Sequence, residues 1–416
     1  MSGSNARGFV KSAYLKARKV LLTAGGRIPR LGSAMAAAAP VEPRNILFIR
    51  VDRIGDMVLS IPAFRELKRT FPASRLTVLA SRSNASLLRH DPYVDHVIVW
   101  NGHRSGFGSS GFLRRAARLA RNGYDVAIDP MTGHDLHTAL IAFLSRAPIR
   151  IGFSGYGREV FFNRLCRMEE GWHIAELMLE TTRQLQAAPA GCSPGICLID
   201  QERDEAKRWL ANRRLGGRPL VGFHLGAHYP SQRWPVEYFA ELARGLHGHD
   251  CDVLVVGGPG EQDLIRFFKT SVGERVIVCE SFSLRQMAAV VAETTALVCN
   301  NSGPLHIAAA LGVPTLSFMG PTEKDRWMPI GQHHIVMRQD RLECIGCNRG
   351  ICEREDHACM RMINPKAALS ALLPMVRDRP APTVIRSAAK TSRTAEPQPT
   401  HGRGCGSFES PSYALL

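Results

Sequence analysis

A chain of 416 residues can bury two cores, and 45% hydrophobic with 22% charged residues is the composition of a water-soluble globular protein. The net charge of +16 gathers at the ends: residues 1–44 carry +7 and residues 377–416 carry +3, which leaves +6 for the rest. That core charge suits phosphorylated ligands or an anionic surface. No aromatic-rich basic strand or recognition helix supports a nucleic-acid partner, and no apolar run approaches the ~18–20 residues of a membrane span.

Residues 1–44 are rich in Gly, Ala, Ser and Arg and read as a disordered extension. Phe9, Val10, Tyr14, Leu15 and Val20 also fit one face of a basic amphipathic helix resting on anionic lipid. The first structured unit is Asn45–Thr70. Ile46–Val51 is an apolar run of strand length, followed by the loop Asp52-Arg53-Ile54-Gly55-Asp56. A helix follows, with Ala63, Phe64 and Leu67 inward and Arg65, Lys68 and Arg69 outward. Pro62 belongs in a first helical turn, so the helix is expected to start near Ser60 and to leave Asp56 in the loop. Arg53 is expected to pair with Asp52 at the surface.

Strand and helix signals then alternate. Strands are expected at 76–80, 96–100, 124–129 and 149–153, and helices at 112–121, 136–144 and 172–185. In the 112–121 helix, Leu113, Ala116, Ala117 and Ala120 are expected inward. The Ala, Pro, Gly and Ser run at 187–194 is the linker candidate, followed by a charged helix at 201–213. The pattern restarts with strands at 220–224, 253–256, 275–278, 296–299 and 315–318, and helices at 236–246, 261–269, 284–292 and 304–311. Such alternation predicts parallel sheets covered by helices. The expected organisation is an α/β protein of two Rossmann-like domains facing across a cleft: 45–190 on the acceptor side, a linker and helix at 191–217, and 218–376 on the nucleotide side. Residues 377–416 read as a disordered tail.

Asn300-Asn301-Ser302-Gly303-Pro304-Leu305-His306 joins a strand end at Cys299 to a helix start near Pro304. Asn301 or Ser302 can cap, Pro304 suits the first turn, and the free N–H groups form an anion site. The segment therefore reads either as a diphosphate cradle or as an ordinary cap. The loop from His224 to Arg233 carries Gln232 and Arg233, and a guanidinium there can fork onto phosphate oxygens or simply lie on the surface. Glu261 can accept from ribose hydroxyls or merely favour a helix start. His134 and His137, after the fourth strand, are candidates for acceptor contact or for ordinary surface residues. Cys344, Cys347, Cys352 and Cys359 form a closely spaced group, which suits a structural role, as free thiols, two disulfides or, less favoured, a zinc site. Cys251, Cys279 and Cys299, among eleven cysteines, stand singly in apolar runs and fit a reducing compartment.

RVDRIGDMVLSIPAFRELK, HLGAHYPSQRWPVEYFAELA, VVGGPGEQD and NNSGPLHIAAALGVPTLSFMGPT occur in the order and spacing of the lipopolysaccharide heptosyltransferases, and the stretch 45–374 resembles that family, glycosyltransferase family 9. The resemblance implies a GT-B fold. It also implies inverting, metal-independent transfer of a sugar, usually heptose from ADP-heptose, to a lipopolysaccharide core or similar glycan. It implies Asp56 as general base; Arg53 and Gly55, beside it where a strand's carboxyl end meets a helix start, are acceptor-side candidates by position. Asn301, Ser302, Gly303 and His306 match diphosphate and sugar contacts, Glu261 a ribose contact, and Phe282 an apolar neighbour of the base. No cofactor is implied beyond the nucleotide sugar. The implied partners are that donor and an anionic glycolipid or glycan acceptor, in the cytoplasm, with peripheral contact at the inner membrane a further expectation. Three positions depart from the family pattern. Gln232 stands where Lys is common, which shifts the expected phosphate charge to Arg233. Asn301 stands where Asp is frequent, and His137-Thr138 where Arg or Lys precedes Ser. The alternative is a family member that binds the nucleotide sugar with little turnover.

Overall fold

The computed structural model describes residues 42–101, 110–189, 191–213, 217–279, 281–377 and 412–415. Expectations for residues 1–41 and 378–411 lie outside these. The first domain holds β1 (Asn45–Arg50), α1 (Ile54–Val58), α2 (Ile61–Thr70), β2 (Arg75–Ala80), β3 (His96–Val99), α3 (Ser110–Ala120), β4 (Val126–Asp129), α4 (His137–Leu144), β5 (Ile149–Phe153), β6 (Arg164–Cys166) and α5 (Ile174–Arg183). A connecting helix, α6 (Asp200–Ala211), leads to β7 (Leu220–His224), α7 (Val236–Gly248), β8 (Asp252–Val256), α8 (Gln262–Val272), β9 (Val276–Cys279), α9 (Leu284–Ala292), β10 (Ala296–Asn300) and α10 (Gly303–Ala310). The chain continues through β11 (Thr315–Phe318), α11 (Lys324–Trp327), β12 (His334–Met337), α12 (Ala358–Arg361) and α13 (Pro365–Arg377), and Ser412–Leu415 forms β13.

Two sheets result, with orders β13-β3-β2-β1-β4-β5-β6 and β12-β11-β10-β7-β8-β9. Every described strand pair is parallel. Alternate residues of β1 explain the two covered faces. Ile46 and Phe48 enter the core under α2 and α5, while Leu47 and Ile49 enter the core under α3 and α4. The α2 and α5 core continues through Leu297, Cys299, Leu305 and Ile307 of the second domain, so the two domains share one apolar body. The outer face of the second sheet packs on α7, α8 and α13, around Trp234, Phe239, Phe268 and Leu372.

In each sheet the strand order reverses beside one central strand, between β1 and β4 and between β7 and β10. Ligands of open α/β sheets bind at such switch points, beyond the strands' carboxyl ends. The segments after β1, β7 and β10 are the ones the sequence motifs occupy.

Several local expectations differ from the structure. Asp56 lies in the one-turn helix α1, not in a loop; Ser60 does precede α2, whose first turn takes Pro62. Phe112, Ala116 and Leu119 are the buried residues of α3, while Leu113 is half exposed. The short strands β6 and β12 and the helix α13 are additional elements. Within the tail, Ser412–Leu415 pairs with β3 at the sheet edge rather than being disordered. Cys251, Cys279 and Cys299 are buried free thiols, whereas Cys197 is disulfide-bonded. Among the described residues no helix is long and apolar enough to cross a membrane.

Candidate active site

A cleft of about 750 Å³ opens between the two sheets, walled by Asp52–Asp56 of the first domain and by His224, Gln232, Glu261, Asn301–Pro304 and His306 of the second. The walls touch at their glycines. A Cβ on Gly55 would stand 2.7 Å from His306 Cδ2, and one on Gly303 would stand 2.9 Å from Ile54 Cβ. Only residues without side chains allow α1 and α10 to approach so closely.

Arg50, at the end of β1, is buried and organises the first wall. Its Nη2 lies 2.9 Å from Asp56 Oδ1 and its Nη1 lies 3.3 Å from Asp52 Oδ2. Its Nε donates to the Asp56 carbonyl at 3.2 Å. Thus Arg50, not Arg53, pairs with Asp52. Arg53 crosses the cleft instead, with its guanidinium 5.6 Å from the Tyr229 ring centroid and Nη2 3.5 Å from Tyr229 Oη. Burial pushes the Asp52 carboxyl up to about 7; the Arg50 charge opposes this and the Asp56 charge adds to it.

The second wall is held by Asn300, the first residue of the Asn300–His306 motif. Its buried amide donates to the Leu225 and Gly226 carbonyls at 2.9 and 3.1 Å, and its Oδ1 accepts from Trp234 N at 2.8 Å. Glu261 lies over the Gly226 backbone, where any Cβ would overlap its carboxylate. Its Oε2 accepts from Gly258 N at 2.7 Å and lies 3.3 Å from His224 Nε2, whose Nδ1 is 3.2 Å from Ser302 Oγ. Burial opposes ionisation of Glu261, but the His224 hydrogen bond and charge outweigh it and hold the carboxyl below its ordinary range. The α10 helix begins at Gly303 with Ser302 at its N-cap, and that side chain caps no helical N–H. The first-turn N–H groups and helix dipole therefore face an anion-binding position. His306 is buried, and burial pushes it down to about 3, with the His173 and His334 charges adding to the effect. Its Nδ1 meets no hydrogen-bond partner among the described residues.

Four predicted site residues lie elsewhere. Arg233 turns back to hold the Ala227 carbonyl, with Nε at 3.4 Å and Nη2 at 3.2 Å, and is not among the cleft walls. Phe282 packs edge-on against Trp209, 4.9 Å between ring centroids, outside the cleft. His137 starts α4 and is buried beside Trp100 and Phe112 rather than facing the cleft. His134 is exposed near Tyr156, also outside it. Gln232 does line the cleft and donates to Thr322 Oγ1 at 3.1 Å. His224 and Tyr229, from the 224–243 motif, line it without a role having been assigned to them, and Arg326 and Trp327 line it from the short helix α11, which carries no motif of its own.

The cysteine segment packs against the 229–232 loop. Ser231 Oγ donates to the Arg349 carbonyl at 2.5 Å, and His357 Nε2 lies 2.7 Å from the Ser231 carbonyl. Cys344, Cys347, Cys352 and Cys359 are free thiols, and burial pushes Cys359 up to about 11, with the other three adding to the effect. Among the described residues no group of three or more His, Cys, Asp or Glu is placed to hold a metal ion.

The sequence profile of glycosyltransferase family 9 (heptosyltransferase) matches residues 112–357. The chain belongs to this family. It is a glycosyltransferase by that membership and by its relatives. Lipooligosaccharide heptosyltransferase 2 of Haemophilus influenzae is 26% identical over 79% of this chain and 98% of its own. Lipopolysaccharide heptosyltransferase 1 of Pseudomonas aeruginosa is 26% identical over 82% of this chain and 100% of its own. Among solved family 9 structures, one from Veillonella parvula superposes with a TM-score of 0.73 at 23% identity, over 81% of this chain and 98% of that one. E. coli ADP-heptose lps heptosyltransferase II gives 0.66 at 23% identity, over 80% and 98%. The two-domain GT-B fold is common to them.

Proposed function

We propose that this family 9 protein transfers heptose from ADP-heptose to a lipopolysaccharide-core acceptor, with inversion and without a catalytic metal. The observation that carries this reading is the meeting of Asp56 on α1 with the α10 start, Ser302–Gly303, across one cleft. The donor lies in the second domain, its diphosphate at the α10 N-terminus and its ribose at Glu261. The acceptor hydroxyl enters beside Asp56. Its oxygen bonds to the anomeric carbon as the bond from that carbon to the phosphate oxygen breaks, and Asp56 takes the hydroxyl proton. Attack from the face opposite the nucleotide inverts the centre. Arg50 fixes the Asp56 carboxylate, so the base is aimed before the acceptor arrives. The α10 dipole and N–H groups stabilise the charge growing on the diphosphate. The names of the relatives support the sugar and the acceptor class. A lipid-linked acceptor implies peripheral work at the inner membrane's cytoplasmic face.

Radiolabelled heptose transfer tests the reading. Asp56→Asn should lower turnover by ~10²–10⁴-fold, the usual contribution of a positioned base, with donor affinity within a few-fold of the parent. Product of inverted anomeric configuration, formed at full rate in EDTA, is expected. Near-full turnover by Asp56→Asn would sink the assignment. Tight ADP-heptose binding with no transfer to any core acceptor would convert the protein to a donor-binding family member.

A further inference from the structure

The donor site described above lacks an obvious cation. Gln232 is neutral, and the Arg233 guanidinium is committed to the Ala227 carbonyl. Burial holds His306 neutral, and burial followed by the Arg53 charge pushes His228 down as well. His224 is shared between Glu261 and Ser302. Among the described residues that wall the cleft, two guanidinium groups remain, Arg53 and Arg326. Arg53 belongs to the first domain and lies over the Tyr229 ring.

Arg326 is better placed for the donor. It sits on α11, after the strand next to β10 in the second sheet. Its neighbour Trp327 stacks obliquely at 6.4 Å from His306, on the first turn of α10, so α11 runs beside the anion-binding helix start. The nearest acid in sequence on the cleft wall, Glu323, accepts from Asn348 Nδ2 at 2.6 Å. One edge of the Arg326 fork reaches the first domain, where Nη2 donates to Thr132 Oγ1 at 3.2 Å in the β4–α4 loop.

We propose that Arg326 is the donor-phosphate cation of this protein, replacing one in the 228–233 loop, and that it ties the bound diphosphate to the acceptor domain through Thr132. The inference rests on the nucleotide-sugar reading above. A guanidinium can give one edge to a phosphate oxygen and keep the other on the threonine hydroxyl, which a lysine ammonium cannot match geometrically. Charge on the leaving diphosphate would then be met by the guanidinium as well as by the α10 dipole.

Equilibrium titration of the full chain with ADP and with adenosine separates the possibilities. The parent protein is expected to prefer ADP. Arg326→Gln should weaken ADP by roughly 10–100-fold, the usual range for one lost charge-assisted contact, and adenosine by less than 3-fold. Arg326→Lys should recover part of the ADP loss, and Arg233→Gln should leave the ADP-to-adenosine ratio unchanged. Thermal melting of Arg326→Gln at the parent's temperature excludes a folding defect; if it melts early, Arg326→Lys supplies the comparison. An unchanged ADP-to-adenosine ratio in the Arg326 variants, with ADP binding intact in the parent, overturns this inference alone. A parent protein that binds neither ADP nor adenosine overturns the donor reading and this inference with it.

Discussion

Gly55→Ala tests whether the contact between the two helix starts sets the geometry of the site. The added methyl would lie 2.7 Å from His306 Cδ2, 3.5 Å from Nε2 and 3.6 Å from Cγ. Carbon atoms rest at about 3.5–4.0 Å, so the ring or the helix must yield by roughly 1 Å. The imidazole is buried, and its neighbour in the cleft wall is Trp327. Overpacking of this kind costs about 1–3 kcal/mol. The displaced element carries Asp56, the next residue, so a shift of ~1 Å there should also lower kcat/KM by up to about 100-fold. Urea denaturation of Gly55→Ala, His306→Ala and the double variant measures the coupling. Removing the ring makes room for the methyl, so the double variant should be more stable than the sum of the single losses by about 1–2 kcal/mol. Additive losses, or a Gly55→Ala protein with parental stability and kcat/KM, would refute the reasoning.

His306 also makes stability acid-sensitive. The folded group is pushed down to about 3, whereas the unfolded imidazole titrates near 6.5, so below pH 6.5 the unfolded state binds the extra proton. Its contribution is complete above pH 6.5 and is lost as pH falls toward 3, by ~1.4 kcal/mol per unit at most. Urea midpoints at pH 6.5 and 4.5 should diverge more in the parent than in His306→Gln; equal pH slopes would count against it. In the first domain, Arg158 Nη2 lies 2.5 Å from Asp129 Oδ2, both buried. Burial pushes Asp129 up and the Arg158 charge restrains it. Arg158→Met should cost about 3–5 kcal/mol in urea denaturation by stranding that carboxyl, and a loss under 1 kcal/mol would show the pair to be dispensable.

The alternation of buried strands and amphipathic helices was legible because parallel strands covered on both faces read as continuous apolar runs. Hence β1, β5, β7 and β11 fall where the sequence places them. The short outer strands β6, of which only Cys166 is buried, and β12, which is partly buried throughout, carry no comparable signal. Pro62 correctly marked the first turn of α2, but nothing in the composition announces a single-turn helix ahead of it. Motif position located Asp56, Glu261, Ser302 and Gly303 on the cleft. It could not give the direction of a long side chain: Arg233 folds back on its own loop, and Phe282 finds Trp209. Within the Asn300–His306 motif the ligand role was expected of Asn301, and the bracing role of Asn300 was not legible, because adjacent polar residues differ only in which side of the strand end they face. Arg326 is brought to the cleft by the second sheet, through a contact 194 residues along the chain from Thr132.

One guanidinium, Arg50, serves two carboxylates. Burial pushes Asp52 up to about 7, so below that pH it carries a proton and adds no negative charge beside Arg50. Above that pH the same cation also faces the Asp52 charge. The charge of the site near neutral pH therefore depends on Asp52, although Asp56 is the proposed base. A kinetic inflection near pH 7 would belong to the linked group around Arg50 and not to a single carboxylate.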